Sequence, residues 1–284
     1  MSILNKKEII ASLDEDFDLD WGLKSIGVED VWKFTKGKGI KVVVVDTGAD
    51  LSHPDLEDKI SGGIDFIKQT GIATDKNGHG TMVAGLIAGK RTGVAPDVEL
   101  YIAKSLNEDG KGTARSIMDG ITFAININAD IVCMSLGMQN ELPNILKRKI
   151  ETAHAKGITI VCPTGNLNNK KVDYPAFMKE VVGVGGADSE LKLAEFSNYG
   201  EGTDVIAPAV DILSTYKNGN YAKMSGTSFA SALVTGAIAL LMSAYREEGI
   251  NLSPKDVKEI ISSINESKSE DYPFFDFKKL IDFL

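Results

Sequence analysis

Cysteine, histidine and tryptophan are scarce in this chain: it has two, three and two of them in 284 residues. Two cysteines cannot build a disulfide framework, and Cys133 and Cys162 each sit inside an apolar, strand-like run, which suits buried, reduced thiols. Three histidines leave few candidates for a general base. The chain also lacks internal repeats, low-complexity tracts and Pro/Ser-rich linkers, so one large domain is the simplest count. No net positive charge is present. The formal charge of −9 argues against nucleic acid or an anionic membrane as partner. The longest apolar run, around residues 229–244, falls short of the ~20 residues that a bilayer span needs. Met1-Ser-Ile-Leu-Asn-Lys-Lys-Glu8 has no apolar core of the secretory kind, so the expectation is a cytoplasmic protein. With 43% hydrophobic and 25% charged residues, what remains is a globular chain able to bury a large core.

Its organisation is an alternation of strand and helix. Residues 14–20 are an acidic cluster, read as a solvated arm, followed by Trp21 and a short amphipathic piece reaching Phe34. Lys41-Val-Val-Val-Val-Asp46-Thr-Gly48 is a continuous β-branched run, as in a parallel strand covered on both faces. Further strands are expected over 98–104, 130–137, 157–162, 181–187 and 204–208, with helices over 113–128 and from about 138 to 156. Residues 212–216 and 221–224 read as a hairpin joined through Asn218-Gly219-Asn220. A long helix follows from Ser228, then two short ones opened by Ser253-Pro254 and by Pro273. The pattern predicts an α/β fold: a doubly wound, mostly parallel sheet with helices on both faces. Residues 1–14 are read as an N-terminal extension and 15–284 as a single domain.

Four positions carry candidate chemistry. In Lys223-Met-Ser-Gly-Thr-Ser-Phe-Ala-Ser-Ala232, Ser228 starts a helix, where unpartnered N–H groups and the helix field favour a nucleophilic hydroxyl. The alternative is that Ser225, Thr227 and Ser228 only cap a core helix. Of the histidines, His79 alone stands at a Gly-rich helix start, in Asn77-Gly-His-Gly-Thr81; His53 precedes Pro54 in a loop, which suits turn stabilisation, and His154 suits a surface helix. Asp46 ends a strand, where open α/β sheets place their sites, and can orient a histidine. Asn166, in Pro163-Thr-Gly-Asn-Leu167, follows a strand at the same sheet edge. It is either a turn residue or an amide donor to a developing oxyanion, with the Ser228 N–H as the second donor.

The order Asp46, His79, Ser228 in these surroundings resembles the subtilisin family of serine proteases. The matching stretches are Val45-Asp-Thr-Gly48, Ser52-His-Pro-Asp-Leu56, Asn77-Gly-His-Gly-Thr81 and Ser225-Gly-Thr-Ser-Phe-Ala230. Gly93-Val-Ala-Pro96, Met134-Ser-Leu-Gly137, Gly165-Asn166 and Ala207-Pro208 add to them. The resemblance implies endoproteolysis through an acyl-enzyme, with Ser228 as nucleophile, His79 as base, Asp46 as its orienting carboxylate and Asn166 as oxyanion donor. It also implies that peptide binds as an added strand between Gly110-Lys111-Gly112 and Ser135-Leu136-Gly137.

The departures from the family carry information of their own. The loop before Gly93 is short, so the tight calcium site to which Asp55 would contribute is expected to be absent; no cofactor or metal is required, and a weak calcium site beside Ala176 and Asp204 stays open. Asp173 stands where the family commonly has glycine at the base of the pocket for the residue before the cut. It either pairs with Arg or Lys of a substrate or turns to solvent. Phe229 replaces a methionine and Ala232 a frequent proline, and Met138 follows Gly137 in place of a second glycine. With no secretory signal and no folding prodomain, the expectation is an intracellular branch: a dedicated processing protease similar to lantibiotic leader peptidases, or a broad-specificity intracellular subtilisin. Rival classes are weaker. A non-catalytic peptide binder would not need all four positions filled, Gly183-Val-Gly-Gly186 and Gly89-Lys90 fall short of nucleotide-binding motifs, and the triad order excludes an α/β-hydrolase.

Overall fold

The computed structural model describes residues 4–13, 18–263, 272 and 274–276. In chain order the elements are β1 (Leu4–Ile10), α1 (Trp21–Ser25), α2 (Val28–Val31), β2 (Lys41–Asp46), β3 (Ile60–Asp65), α3 (His79–Ala88), β4 (Glu99–Lys104), α4 (Ala114–Asn126) and β5 (Ile131–Cys133). They continue with α5 (Asn144–Ala155), β6 (Thr159–Pro163), β7 (Val181–Ala187), β8 (Val205–Pro208), β9 (Ile212–Tyr216), β10 (Asn220–Ser225), α6 (Thr227–Glu247) and α7 (Pro254–Ser263).

Seven strands form one parallel sheet in the order β3-β4-β2-β5-β6-β7-β8. The valines of β2 show why it lies at the centre. Val42 and Val44 pack into the layer that holds α3 and α6, Val43 and Val45 into the layer that holds α4 and α5, and all four are fully buried. This is the doubly wound architecture expected from the alternation. From β2 the chain goes one way to β3 and β4 and the other way to β5 through β8, so the C-terminal end of β2 is a topological switch point. Asp46 stands there. The segments after β4 and β5, which contain Gly110–Gly112 and Ser135–Gly137, flank it on either side.

A second sheet, β1-β10-β9, is antiparallel. The hairpin forms as the Asn-Gly-Asn turn predicts, with Asn220 opposite Tyr216. Strand β1 has no counterpart in the sequence pattern: it pairs with β10 from Ile10↔Tyr221 to Leu4↔Ser225, three residues before Ser228. Strand β3 has none either, because Ile60-Ser-Gly-Gly-Ile-Asp65 has two glycines and no β-branched run. Residues 14–17 of the acidic cluster lie outside the described residues. Its end is no solvated arm, since Asp20 caps α1 by accepting from the Gly22 N–H at 2.9 Å, and Leu19 packs on the core.

Helix α6 is longer than its apolar run: it has 21 residues, and its most apolar window has a mean hydropathy of 1.6, long and apolar enough to cross a membrane by length and composition. Of its most apolar window 94% is buried inside the fold, so it is a core helix. Helix α7 follows Ser253-Pro254 as predicted. Of the helix expected after Pro273, all but residues 274–276 lies outside the described residues; Phe274 bridges Ile206 and Phe275 is buried. Cys133 and Cys162 are both buried and unbridged. Cys133 pairs with Val161 across β5 and β6, which turns Cys162 to the opposite face of the sheet. That geometry precludes a bond between them.

Candidate active site

Asp46 is the last residue of β2 and fully buried. His79 is the first residue of α3, with Nδ1 2.9 Å from Asp46 Oδ1 and 3.0 Å from Oδ2. Gly78 before it takes a φ of +107°, and a Cβ there would meet the Tyr216 ring at 2.2 Å, so only glycine fits this helix start. A hydrogen-bonded cage holds the pair. Thr47 Oγ1 accepts from the Gly80 N–H (2.9 Å) and donates to Asp75 Oδ1 (3.0 Å), while Asp75 Oδ2 accepts from Thr81 N–H and Oγ1.

With Nδ1 on the carboxylate, Nε2 is the other end of the ring, and it is buried with no hydrogen-bond partner among the described residues. Burial works against the imidazolium, but the Asp46 charge and hydrogen bond, and then the Asp75 charge, outweigh it and hold His79 above its ordinary value. The His79 ring packs on Phe229, centroids 5.8 Å apart, against the residue next to Ser228.

Ser228 lies in the first turn of α6 and is 2% exposed. Its Oγ points to the Ser135 carbonyl at 3.5 Å, a long contact, while Ser135 Oγ donates to the Ser228 carbonyl at 3.0 Å. Asn166 accepts through Oδ1 from both the N–H and the hydroxyl of Thr227, each at 2.9 Å. That commits its oxygen and makes the NH2 group the donor end.

Ser228, Asn166, Gly137, Gly165 and Asp173 line one cavity of about 310 Å³, rimmed by Met138 and Leu167. Asp173 is 9% exposed, and its Oδ2 faces Gly165, where a Cβ would lie 2.6 Å from it. Asn198 Nδ2 donates to Asp173 Oδ1 at 3.3 Å. Burial pushes the Asp173 carboxyl above the usual carboxylate range. The carboxylate is thus turned into the cavity, away from solvent.

The structure brings together Asp46 with His79, and Ser228 with Asn166, Gly137 and Asp173. Ser135 touches Ser228 directly. Leu136 is buried beside the cavity; Lys111 and Gly112 are exposed along the rim after β4, and Gly110 closes the Asn107–Gly110 turn. His53 is structural: its Nδ1 accepts from Asp55 N–H and its Nε2 lies 2.9 Å from the Asn220 carbonyl. Two residues at the site had no role in the sequence reading, Asp75 and Asn198. Asp75 has a local signal, an acidic Asx turn four residues before His79; Asn198 has none, because its partners lie 25 to 34 residues away.

No cluster of three or more His, Cys, Asp or Glu able to hold a metal occurs among the described residues. Asp55 Oδ2 accepts from the Arg91 N–H. Asp204 Oδ2 accepts from Gly183 N–H and lies 3.0 Å from Lys258 Nζ, which also donates to the Val181 and Lys179 carbonyls.

A buried Asp–His pair and a helix-start serine at the switch point of a parallel sheet are the arrangement of a serine hydrolase. The Subtilase family matches residues 37–274. The chain belongs to that family and is a serine endopeptidase. It is 42% identical to the "Major intracellular serine protease" of Bacillus subtilis (strain 168), over 81% of this chain and 77% of that protein. It is 39% identical to an "Intracellular serine protease" of Paenibacillus polymyxa, over 82% and 76%. A crystal structure of a cold adapted subtilisin-like serine proteinase superimposes with a TM-score of 0.81 at 28% identity, covering 92% of this chain and 98% of that one.

Proposed function

We propose that residues 15–284 form a cytoplasmic processing protease that cuts polypeptides after a basic residue, with Asp46, His79 and Ser228 as its triad. The observation that carries the triad is the His79 ring, anchored by Nδ1 and bare at a buried Nε2. Ser228 Oγ, turning from the Ser135 carbonyl about χ1, gives its proton to Nε2 as it attacks the scissile carbonyl. Asp46 keeps the proton of the ring on Nδ1 and stabilises the imidazolium. The Asn166 NH2 and the Ser228 N–H bind the oxyanion; collapse passes the proton from His79 to the leaving amine and leaves an acyl-Ser228, which water hydrolyses by the same route. Substrate runs as an added strand between Gly110–Gly112 and Ser135–Gly137.

Asp173 supports the preference for a basic residue. A carboxylate buried at the wall of a 310 Å³ cavity beside Ser228 is costly unless a cation meets it, and the substrate side chain supplies that cation. In this reading Lys258 stands in for the weak cation considered beside Ala176 and Asp204: one ammonium engages two carbonyls and a carboxylate. The names of the relatives, both intracellular serine proteases, support an intracellular enzyme; the second reading is an intracellular subtilisin of broad specificity. Otherwise identical Arg, Gln and Phe peptides decide between them. The basic-pocket reading expects Arg to be preferred and the preference to vanish in Asp173→Gly; equal cleavage of all three sinks it.

A further inference from the structure

The loop that carries Asn166 and the wall that carries Asp173 are joined by one side chain. Asn198, in the connection between β7 and β8, is fully buried. Its Oδ1 accepts from the Leu167 N–H (2.9 Å) and the Asn169 N–H (3.1 Å), and its Nδ2 donates to the Thr164 carbonyl (3.1 Å) and to Asp173 Oδ1 (3.3 Å). Two donors and two lone pairs are all that an amide offers, so every valence is used. The backbone adds to it: Asn198 N–H donates to the Gly165 carbonyl at 2.9 Å, and Thr164 Oγ1 donates to the Asn198 carbonyl at 3.0 Å. Gly165 has a φ of +111°, and a Cβ on it would lie 2.2 Å from Asn198 Nδ2, so the loop lies flat on the amide.

The residues on either side of Asn166 are therefore tied to Asn198, while Asn166 itself projects toward the Thr227–Ser228 turn. Among the described residues, Asn198 is also the one side-chain donor to the Asp173 carboxylate.

We propose that Asn198 is a positioning residue that couples the two halves of the substrate site: its acceptor end aims Asn166 at the oxyanion, and its donor end aims Asp173 at a basic side chain. The second half rests on the reading of Asp173 given above; the first does not. Filling of the pocket by Arg, gripped by Asp173, then tightens the loop that supports the oxyanion donor, and basic substrates gain in kcat as well as in KM.

Asn198→Ala, Asn198→Asp and Asp173→Gly, assayed on matched Arg and Phe peptides with active sites counted by fluorophosphonate titration, test this. Asn198→Ala loses both ends: kcat on Phe should fall about tenfold or more, since a misaimed oxyanion donor acts on the chemical step, and the Arg/Phe ratio of kcat/KM should fall further. In Asp173→Gly the ratio is already gone, so adding Asn198→Ala there should lower kcat without changing the ratio. Asn198→Asp keeps the acceptor oxygens for Leu167 and Asn169 but loses the donor to the Thr164 carbonyl and faces Asp173 with a like charge; its kcat on Phe should fall between those of the parent and Asn198→Ala, and the Arg preference should be lost. A purely structural asparagine predicts otherwise: Asn198→Asp would match Asn198→Ala, or the titrated kcat of both would equal that of the parent, and either result overturns the proposal. If the parent shows no Arg preference, the Asp173 reading and the donor-end half fall together, while the kcat of Asn198→Ala on Phe still decides the acceptor-end half. If the alanine variant yields no titratable sites, Asn198→Asp against the parent on both peptides decides the proposal.

Discussion

Replacing Lys258 with methionine removes one charge and little else. The side chain keeps an unbranched apolar stem, one atom shorter, while the Val181 carbonyl (2.7 Å), the Lys179 carbonyl (3.3 Å) and Asp204 Oδ2 (3.0 Å) lose their ammonium. Asp204 retains the Gly183 N–H at 2.8 Å. A buried hydrogen bond to a charged group contributes about 1.5–3 kcal/mol, whereas an exposed ion pair contributes at most about 1 kcal/mol. With the two side chains 26% and 21% exposed, we expect a loss between these limits, about 1–2 kcal/mol, or about 2–6 °C in Tm for a chain of this size. Calorimetry on Ser228→Ala protein, which cannot digest itself, is the assay. The Lys258→Met variant should melt lower than its parent and recover part of the difference in millimolar calcium, because two carbonyls and a carboxylate are ligands for a hard cation. EDTA should leave the parent unchanged. A parent that loses Tm in EDTA, or a variant that melts with the parent, would refute the idea that the lysine stands in for a cation.

Two further perturbations address the catalytic groups. Asp75→Asn removes one of the two charges that hold His79 above its ordinary value, so the acid limb of the kcat/KM–pH profile, which reports the neutral base, should move to lower pH; an unmoved limb would show that Asp75 acts on His79 through structure alone. Stability runs the other way: a raised folded pKa adds stability below the unfolded value of 6.5 that fades as pH rises through the folded one, and Asp75→Asn should shrink this acid-side contribution in pH-dependent melts. Phe229, 1% exposed against the His79 ring, places no sulfur beside Ser228, and Met138 on the cavity rim is 39% exposed. Peroxide should therefore spare kcat and act on KM, and Phe229→Met should lose kcat under the same treatment, as single-turnover assays would show.

What the residues revealed in order, and what they hid, follows from the range of the forces involved. The run Val42–Val45 shows a doubly covered strand because both of its faces are apolar, and the alternation of such runs with helices yields the winding of the sheet. Strands β1 and β3 carry no such mark: β1 is defined by its pairing with β10 and β3 by its pairing with β4, contacts made by the backbone. The candidate site divides in the same way. Asp46, His79, Asn166 and Ser228 stand at ends of elements with glycine or small residues beside them, which is visible locally. Asn198 lies in a connection with no periodicity, and its worth lies in four hydrogen bonds to residues 25 to 34 positions away. Asp173 was visible as an oddity, but its inward direction depends on Gly137 and Gly165 leaving it room.

The two cysteines offer something separate from their chemistry in the fold. Both thiols are fully buried on opposite faces of adjacent central strands, and burial pushes Cys133 up to about 12 and Cys162 well above its ordinary value. A thiol reagent in neutral buffer finds no thiolate until the central sheet opens. Labelling of this chain is thus a clock for the opening of its core, with one hand in each helical layer, and in the Ser228→Ala background it can be read at temperatures where a self-digesting enzyme would leave nothing to measure.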